Sequence, residues 1–176
     1  MYDSILYPTD GGDSAREAFD HVRDLAERYD AAVHVLYVVD GSHRALGIGE
    51  NPNREASPGM VGDPSGAETP MGGDPDASRE ARAKATAHGR GLVREVGRRL
   101  QGVETAVTVR GGDPSEIIPD YADEHDVDAI VMGTHPRTGI ERYLFGSVTE
   151  SVLRTANVPV LVVPDADDPV DTEWNE

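Results

Sequence analysis

The residues best suited to chemistry stand in the stretch VMGTHPRTGIERYLFGSVTESVLR, which begins at Val131. An apolar run passes through Gly133 into a polar loop, and the loop ends at Gly146, Ser147, Val148 and Thr149, where helical periodicity begins. Such a loop has the small residues and hydroxyls of a phosphate cradle. The free N–H groups and dipole of a helix start attract anions, and Gly133 lets the backbone leave a strand with no Cβ in a ligand's way. A second polar turn, YPTDGGDS, follows the first strand-like run and offers the carboxylate of Asp10.

Covalent or hydrolytic chemistry has no comparable support. The lysine-bearing phosphate loop GxxxxGK[ST] and the GxSxG elbow are absent, and His21, His34, His43, His88, His125 and His135 are scattered without metal-ligand spacing. With no cysteine, disulfides, thiolate metal sites and cysteine nucleophiles are excluded. No catalytic residue is assigned, and a slow ATPase is the most the sequence allows.

Two loops can form one site only if the fold brings them together. YDSILYP, AAVHVLYVVD, VETAVTV, VDAIVMG and VPVLVV read as five strands, with helical segments between them. Ala15, Ala18, Val22, Leu25, Ala26 and Tyr29 recur at helical spacing, and a second helix is expected over about 76–100. Ser14 with Glu17 and Ser147 with Glu150 suggest capping boxes, while Asp113-Pro114-Ser115-Glu116 opens a helix with proline at its first position. Gly89 and Gly91 each weaken the second helix by about 1 kcal/mol relative to alanine. The pattern predicts a single α/β domain over 1–164, a doubly wound five-stranded parallel sheet with helices on both faces, in a flavodoxin-like or Rossmann-like order; the Rossmann-like order 3-2-1-4-5 is the one expected here. Ligands of such folds sit beyond the carboxyl ends of the strands where the winding reverses, and the two loops are neighbours there if the order is 3-2-1-4-5.

Gly41 to Pro75 is rich in glycine, proline and acid and reads as a solvated insertion, and 165–176 as an acidic tail. The 33 acidic against 16 basic residues give a formal charge of −17, which disfavours nucleic acid and anionic membranes as partners. We read the acidity as adaptation to a salty cytosol, because molar salt shortens the Debye length to about 3 Å and screens self-repulsion. No apolar run approaches the roughly 20 residues of a membrane span, and MYDSILYPTD lacks the regions of a signal peptide, so a cytoplasmic protein is expected.

At these residues the chain resembles the universal stress protein family, in particular its ATP-binding branch. That branch has Gly, two residues, Gly, nine residues, then Gly-Ser or Gly-Thr after the fourth strand; Gly133, Pro136, Gly146 and Ser147 occupy those places. ILYPTD, LYVVD and SVTESVLRTANVPVLVV also resemble the family's opening, second strand and end. The resemblance implies ATP, or AMP or ADP, as ligand. It implies that Pro8, Thr9, Val38 and Met132 border the adenine and that Asp10 meets ribose hydroxyls or a phosphate-bound Mg²⁺. Gly133, His135, Arg137, Gly146, Ser147, Val148 and Thr149 then surround the phosphates. It further implies a homodimer through the last strand, 157–163.

Pro136 departs from that pattern. Proline has no N–H, and losing one charge-assisted hydrogen bond costs about 1.5–3 kcal/mol, roughly 10- to 100-fold in affinity. The alternative reading is therefore a stress or interaction module that binds no nucleotide and acts through its dimer surface on protein partners yet to be identified.

Overall fold

Strands apolar on both faces need cover on both sides, and helices with one apolar stripe supply it. The computed structural model describes residues 2–40, 75–134 and 145–164. Its elements are β1 (Ser4–Pro8), α1 (Asp13–Tyr29), β2 (Ala32–Asp40), α2 (Pro75–Arg99), β3 (Thr105–Gly112), α3 (Pro114–Glu124), β4 (Ala129–Thr134), α4 (Ser147–Thr155) and β5 (Val160–Pro164). The five strands are parallel, in the order β3-β2-β1-β4-β5, as the sequence predicts. Winding reverses between β1 and β4, the strands that carry the two candidate loops.

Alternation along each strand divides the core. Ile5, Val33, Val35 and Val131 face α1 and α2, where they meet Phe19, Val22, Val93 and Val96. Leu6, Leu36, Ile130 and Met132 face α3 and α4, against Ile118, Tyr121 and Val152. Fully burying each such side chain contributes roughly 1.5–3 kcal/mol. At the amino ends of the strands, the Asp128 carboxylate accepts from the N–H groups of Asp3 and Ser4 at 2.7 and 3.0 Å, which fixes β1 against the start of β4.

Helix starts show where local signals hold. The Asp113 carboxylate accepts from the Ser115 N–H at 2.8 Å and its hydroxyl at 2.6 Å, and Pro114 sits at the first helical position as expected. Those two bonds hold the Asp113 carboxyl below the usual carboxylate range. The other two expected caps are corrected. Helix α1 begins one residue before Ser14, with Gly12 as its cap, and Ser14 is buried inside the first turn. Helix α4 is capped by Gly146, with Ser147 already helical. At α1 the first turn packs against Gly133 of β4, which takes Ser14 out of a capping position.

Helix α2 agrees with the expected span to within a residue at each end, while β3 continues past VETAVTV to Gly112. Residues 41–74 of the expected insertion and the tail 165–176 lie outside the described residues. Among the described residues no helix is long and apolar enough to cross a membrane.

Candidate functional site

The first site loop is built from its own main chain. Where β1 ends, the Thr9 N–H donates to the Leu36 carbonyl at 2.9 Å. The Thr9 hydroxyl then accepts from the Gly11 N–H at 3.2 Å, and the Asp10 carboxylate accepts from the Gly12 N–H at 2.8 Å. Gly11 has φ +83°, and a Cβ there would meet Leu92 of α2 at 3.1 Å, so the turn suits glycine on both counts. The buried Tyr7 hydroxyl donates to the Ala15 carbonyl and ties the first turn of α1 to β1. Burial, above all, raises the pKa of that phenol, which stays neutral as the bond requires.

The second loop is anchored at both of its described ends. The buried Thr134 hydroxyl, on the last residue of β4, accepts from the Gly146 N–H at 3.1 Å and seats α4 above the strand. The first bond within α4 runs from the Glu150 N–H to the Gly146 carbonyl at 2.9 Å. The N–H groups of Ser147, Val148 and Thr149 thus have no acceptor inside the helix, which makes this end electropositive.

Between the loops lies a cavity of about 270 Å³, near the lower end of the usual small-molecule range of roughly 300–1,000 Å³. Pro8, Thr9, Asp10, Val38, Met132, Gly133, Gly146, Ser147, Val148 and Thr149 all line it. His135 and Arg137, with Pro136 between them, lie outside the described residues. Ser14, Ala15, Leu36, Pro114 and Ile118 complete the wall, and sequence reasoning did not select them. The Asp113-Pro114 helix start was a usable signal for the third loop, since it too follows the carboxyl end of a strand. Leu36 and Ile118 offer no such sign, being ordinary core residues in sequence.

One wall is mainly apolar and carries an exposed strip of main chain. Leu36 turns its carbonyl towards β1, so Val38, two residues on, turns its N–H and C=O the same way. Beyond the Pro8–Leu36 pairing, however, β1 has ended. Val38 therefore presents a donor and an acceptor to the cavity. Gly133 plays a different part from the one its type suggests. A Cβ there would lie 2.4 Å from the Ser14 carbonyl carbon and oxygen, so the glycine makes room for α1 at the cavity wall.

A sequence profile of the universal stress protein family matches residues 1–164. The chain belongs to the universal stress protein family. Universal stress protein MJ0531 of Methanocaldococcus jannaschii is 34% identical over 166 residues, covering 93% of this chain and 82% of that protein. The solved structure of MJ0577, a universal stress protein from the same organism, superposes with a TM-score of 0.72 at 28% identity, covering 95% of this chain and 99% of that one. A universal stress protein family member from Arabidopsis thaliana, solved with AMP bound, shares the fold at a TM-score of 0.60 and 17% identity, with 96% of each chain covered.

Proposed function

We propose that this universal stress protein binds ATP or a related adenine nucleotide between the Asp10 turn and the start of α4. It would act in the cytoplasm as a nucleotide-dependent sensor or regulator of the stress response. The observation that carries the reading is a single cavity lined both by apolar side chains of β2, α3 and β4 and by the amino terminus of α4. Leu36, Val38, Ile118 and Met132 suit a flat base, and the main chain of Val38 suits its hydrogen-bonding edge. The amides of Ser147, Val148 and Thr149 suit phosphate oxygens. Asp10, in the same lining, suits the ribose hydroxyls. The AMP held by the Arabidopsis protein supports an adenine nucleotide as the ligand class.

Asp10 also suits Mg²⁺ brought in on the phosphates. Among the described residues no group of three or more histidines or carboxylates stands ready to hold a metal alone. Asp10 would supply one oxygen, and a phosphate-bound Mg²⁺ keeps several waters of its own. The ion would offset phosphate charge near an acidic protein.

Calorimetry in molar KCl tests the reading. Saturable binding of ATP, weakened by Asp10→Ala and by Ser147→Ala, is expected; no heat and no thermal shift at millimolar ATP would overturn it. Pro136 is the specific observation favouring the second reading, a module that works through its dimer surface alone. The wild-type titration distinguishes them; Pro136→Gly should bind more tightly if an amide at this position contributes to phosphate, and unchanged affinity shows that the proline is accommodated without losing a contact.

A further inference from the structure

The basic residues of this acidic chain are unevenly spread. Helix α2 holds seven arginines or lysines against three carboxylates, while the rest of the chain holds nine against thirty. Arg90, Arg94 and Arg98 are exposed and recur every four residues, which places them on one stripe of the helix. Glu95 pairs with Arg98 at 3.0 Å, both side chains well exposed, so the offset is weak. Among the described residues no carboxylate lies within salt-bridge distance of Arg90 or Arg94.

This stripe runs beside an open sheet edge. β3 is an outer strand, and the Glu104 carbonyl accepts from the Val33 N–H at 2.8 Å. By alternation, Thr105, Val107 and Val109 turn their N–H and C=O groups away from β2 and outward. The Val107 side chain is 44% exposed, and with Thr105, Gly97, Arg94 and Arg98 it lines a shallow groove between the strand and α2. Edges are commonly blunted by charge on the strand itself. Here residues 105–109 are uncharged, with Glu104 before them, Arg110 after them and the arginines of α2 alongside.

Charge and geometry select the occupant. Two copies paired edge to edge through β3 would set arginine stripe against arginine stripe. Nucleic acid would be repelled by the acidic remainder and would leave the outward main-chain groups unused. The chain's own tail begins after Pro164, four strands away at about 4.8 Å each and at the opposite end of the sheet from Thr105. We infer that this edge docks an extended acidic segment of a partner protein by strand addition. Its main chain pairs with Thr105, Val107 and Val109, and its carboxylates meet Arg94 and Arg98.

The test uses the full chain, in salt that keeps it folded, with a fluorescein-labelled peptide alternating glutamate and valine. Fluorescence anisotropy should rise saturably, and a peptide with lysine in place of glutamate should not bind. Val107→Pro, which removes an outward donor, should weaken binding about tenfold or more, and Arg94→Glu, at an exposed and salt-screened site, about threefold. Thermal melting reports whether each variant folds, and Arg94→Gln with Arg98→Gln gives a smaller loss with the strand untouched. Equal binding of the lysine peptide, or full affinity in Arg94→Glu, overturns the inference. So does displacement of the peptide by duplex DNA. A tenfold gain in affinity on truncation after Pro164 would assign the groove to the tail, and a native mass halved by Val107→Pro would assign it to a second copy.

Discussion

Gly133 of β4 and Ser14 of α1 are in backbone contact, with the space for a Cβ on Gly133 already filled by the Ser14 carbonyl at 2.4 Å. The contact seats the first turn of α1 against the sheet directly beside the cavity, since both residues line it. Adding a methyl group must push α1 away from β4. Gly133→Ala is expected to destabilise the fold by about 1–3 kcal/mol, the usual penalty of overpacking, and to lower nucleotide affinity through the displaced Asp10 turn. Thermal melting and calorimetry on one preparation check it; an unchanged melting temperature would show that α1 shifts freely.

Two of the three glycines of α2, Gly89 and Gly91, should respond with opposite signs. A Cβ on Gly89 would lie 2.3 Å from the Tyr37 ring, whereas one on Gly91 meets nothing within 4 Å. Gly91→Ala should stabilise by about 0.5–1 kcal/mol, because only the flexibility of glycine is removed. Gly89→Ala should destabilise, since Tyr37 must give way. Denaturant midpoints for the pair decide it, and equal shifts would sink the distinction.

A histidine cluster should make stability depend on pH. The His34 Nδ1 lies 3.1 Å from the Tyr121 hydroxyl, the His125 ring stacks on Tyr121 at 3.9 Å, and the two histidine rings are 5.4 Å apart. Burial, then the charge of His125, lowers the His34 pKa, with Glu104 acting the other way. Arg110 and Glu124, paired at 2.6 Å, flank the same tyrosine. The unfolded chain binds a proton to this histidine near pH 6.5 while the folded chain still does not. Stability should therefore fall as the pH drops through 6.5 towards the lowered folded value, and recover as it rises. His34→Gln should flatten the melting temperature over that interval. An identical pH profile in the variant would remove His34 as the cause.

On the far edge, β5 offers a surface for a second copy. The Pro159 carbonyl accepts from the Ile130 N–H at 2.9 Å, so by alternation Val160 and Val162 turn their main-chain groups outward. Leu161 and Leu153 add apolar side chains 41% and 40% exposed. Light scattering in molar KCl is expected to give twice the chain mass, and Val162→Pro should shift it towards the monomer without cutting a bond to β4. A monomeric native chain, or a dimer indifferent to this substitution, would place any interface elsewhere.

Salt should govern the fold itself. With a formal charge of −17, dialysis to about 0.01 M salt restores repulsion over roughly 30 Å, and the melting temperature should drop. Circular dichroism during the dialysis checks this, and a melting curve unmoved by salt would remove the case for a salt-adapted chain.

What the sequence determined by itself was whatever depends on near neighbours in the chain. The alternation of strands with periodic helices settled the class and left few sheet orders, and Asp113-Pro114 marked a helix start to the residue. The two glycine-bearing turns pointed to one end of the sheet, because a parallel α/β fold leaves few topologies. Tertiary structure decided what depends on residues meeting through space. Ser14 carries a capping pattern yet is buried at the back of Gly133, and Gly133 looks like a ligand glycine yet serves a helix. Leu36, Pro114 and Ile118 join the cavity only because β2, α3 and β4 converge there. Gly89 and Gly91 are alike in sequence, and one faces Tyr37 while the other faces open space. Periodicity and turn chemistry are written in local spacing. Steric fit is a property of distant residues brought within a few ångströms, and no local pattern records it.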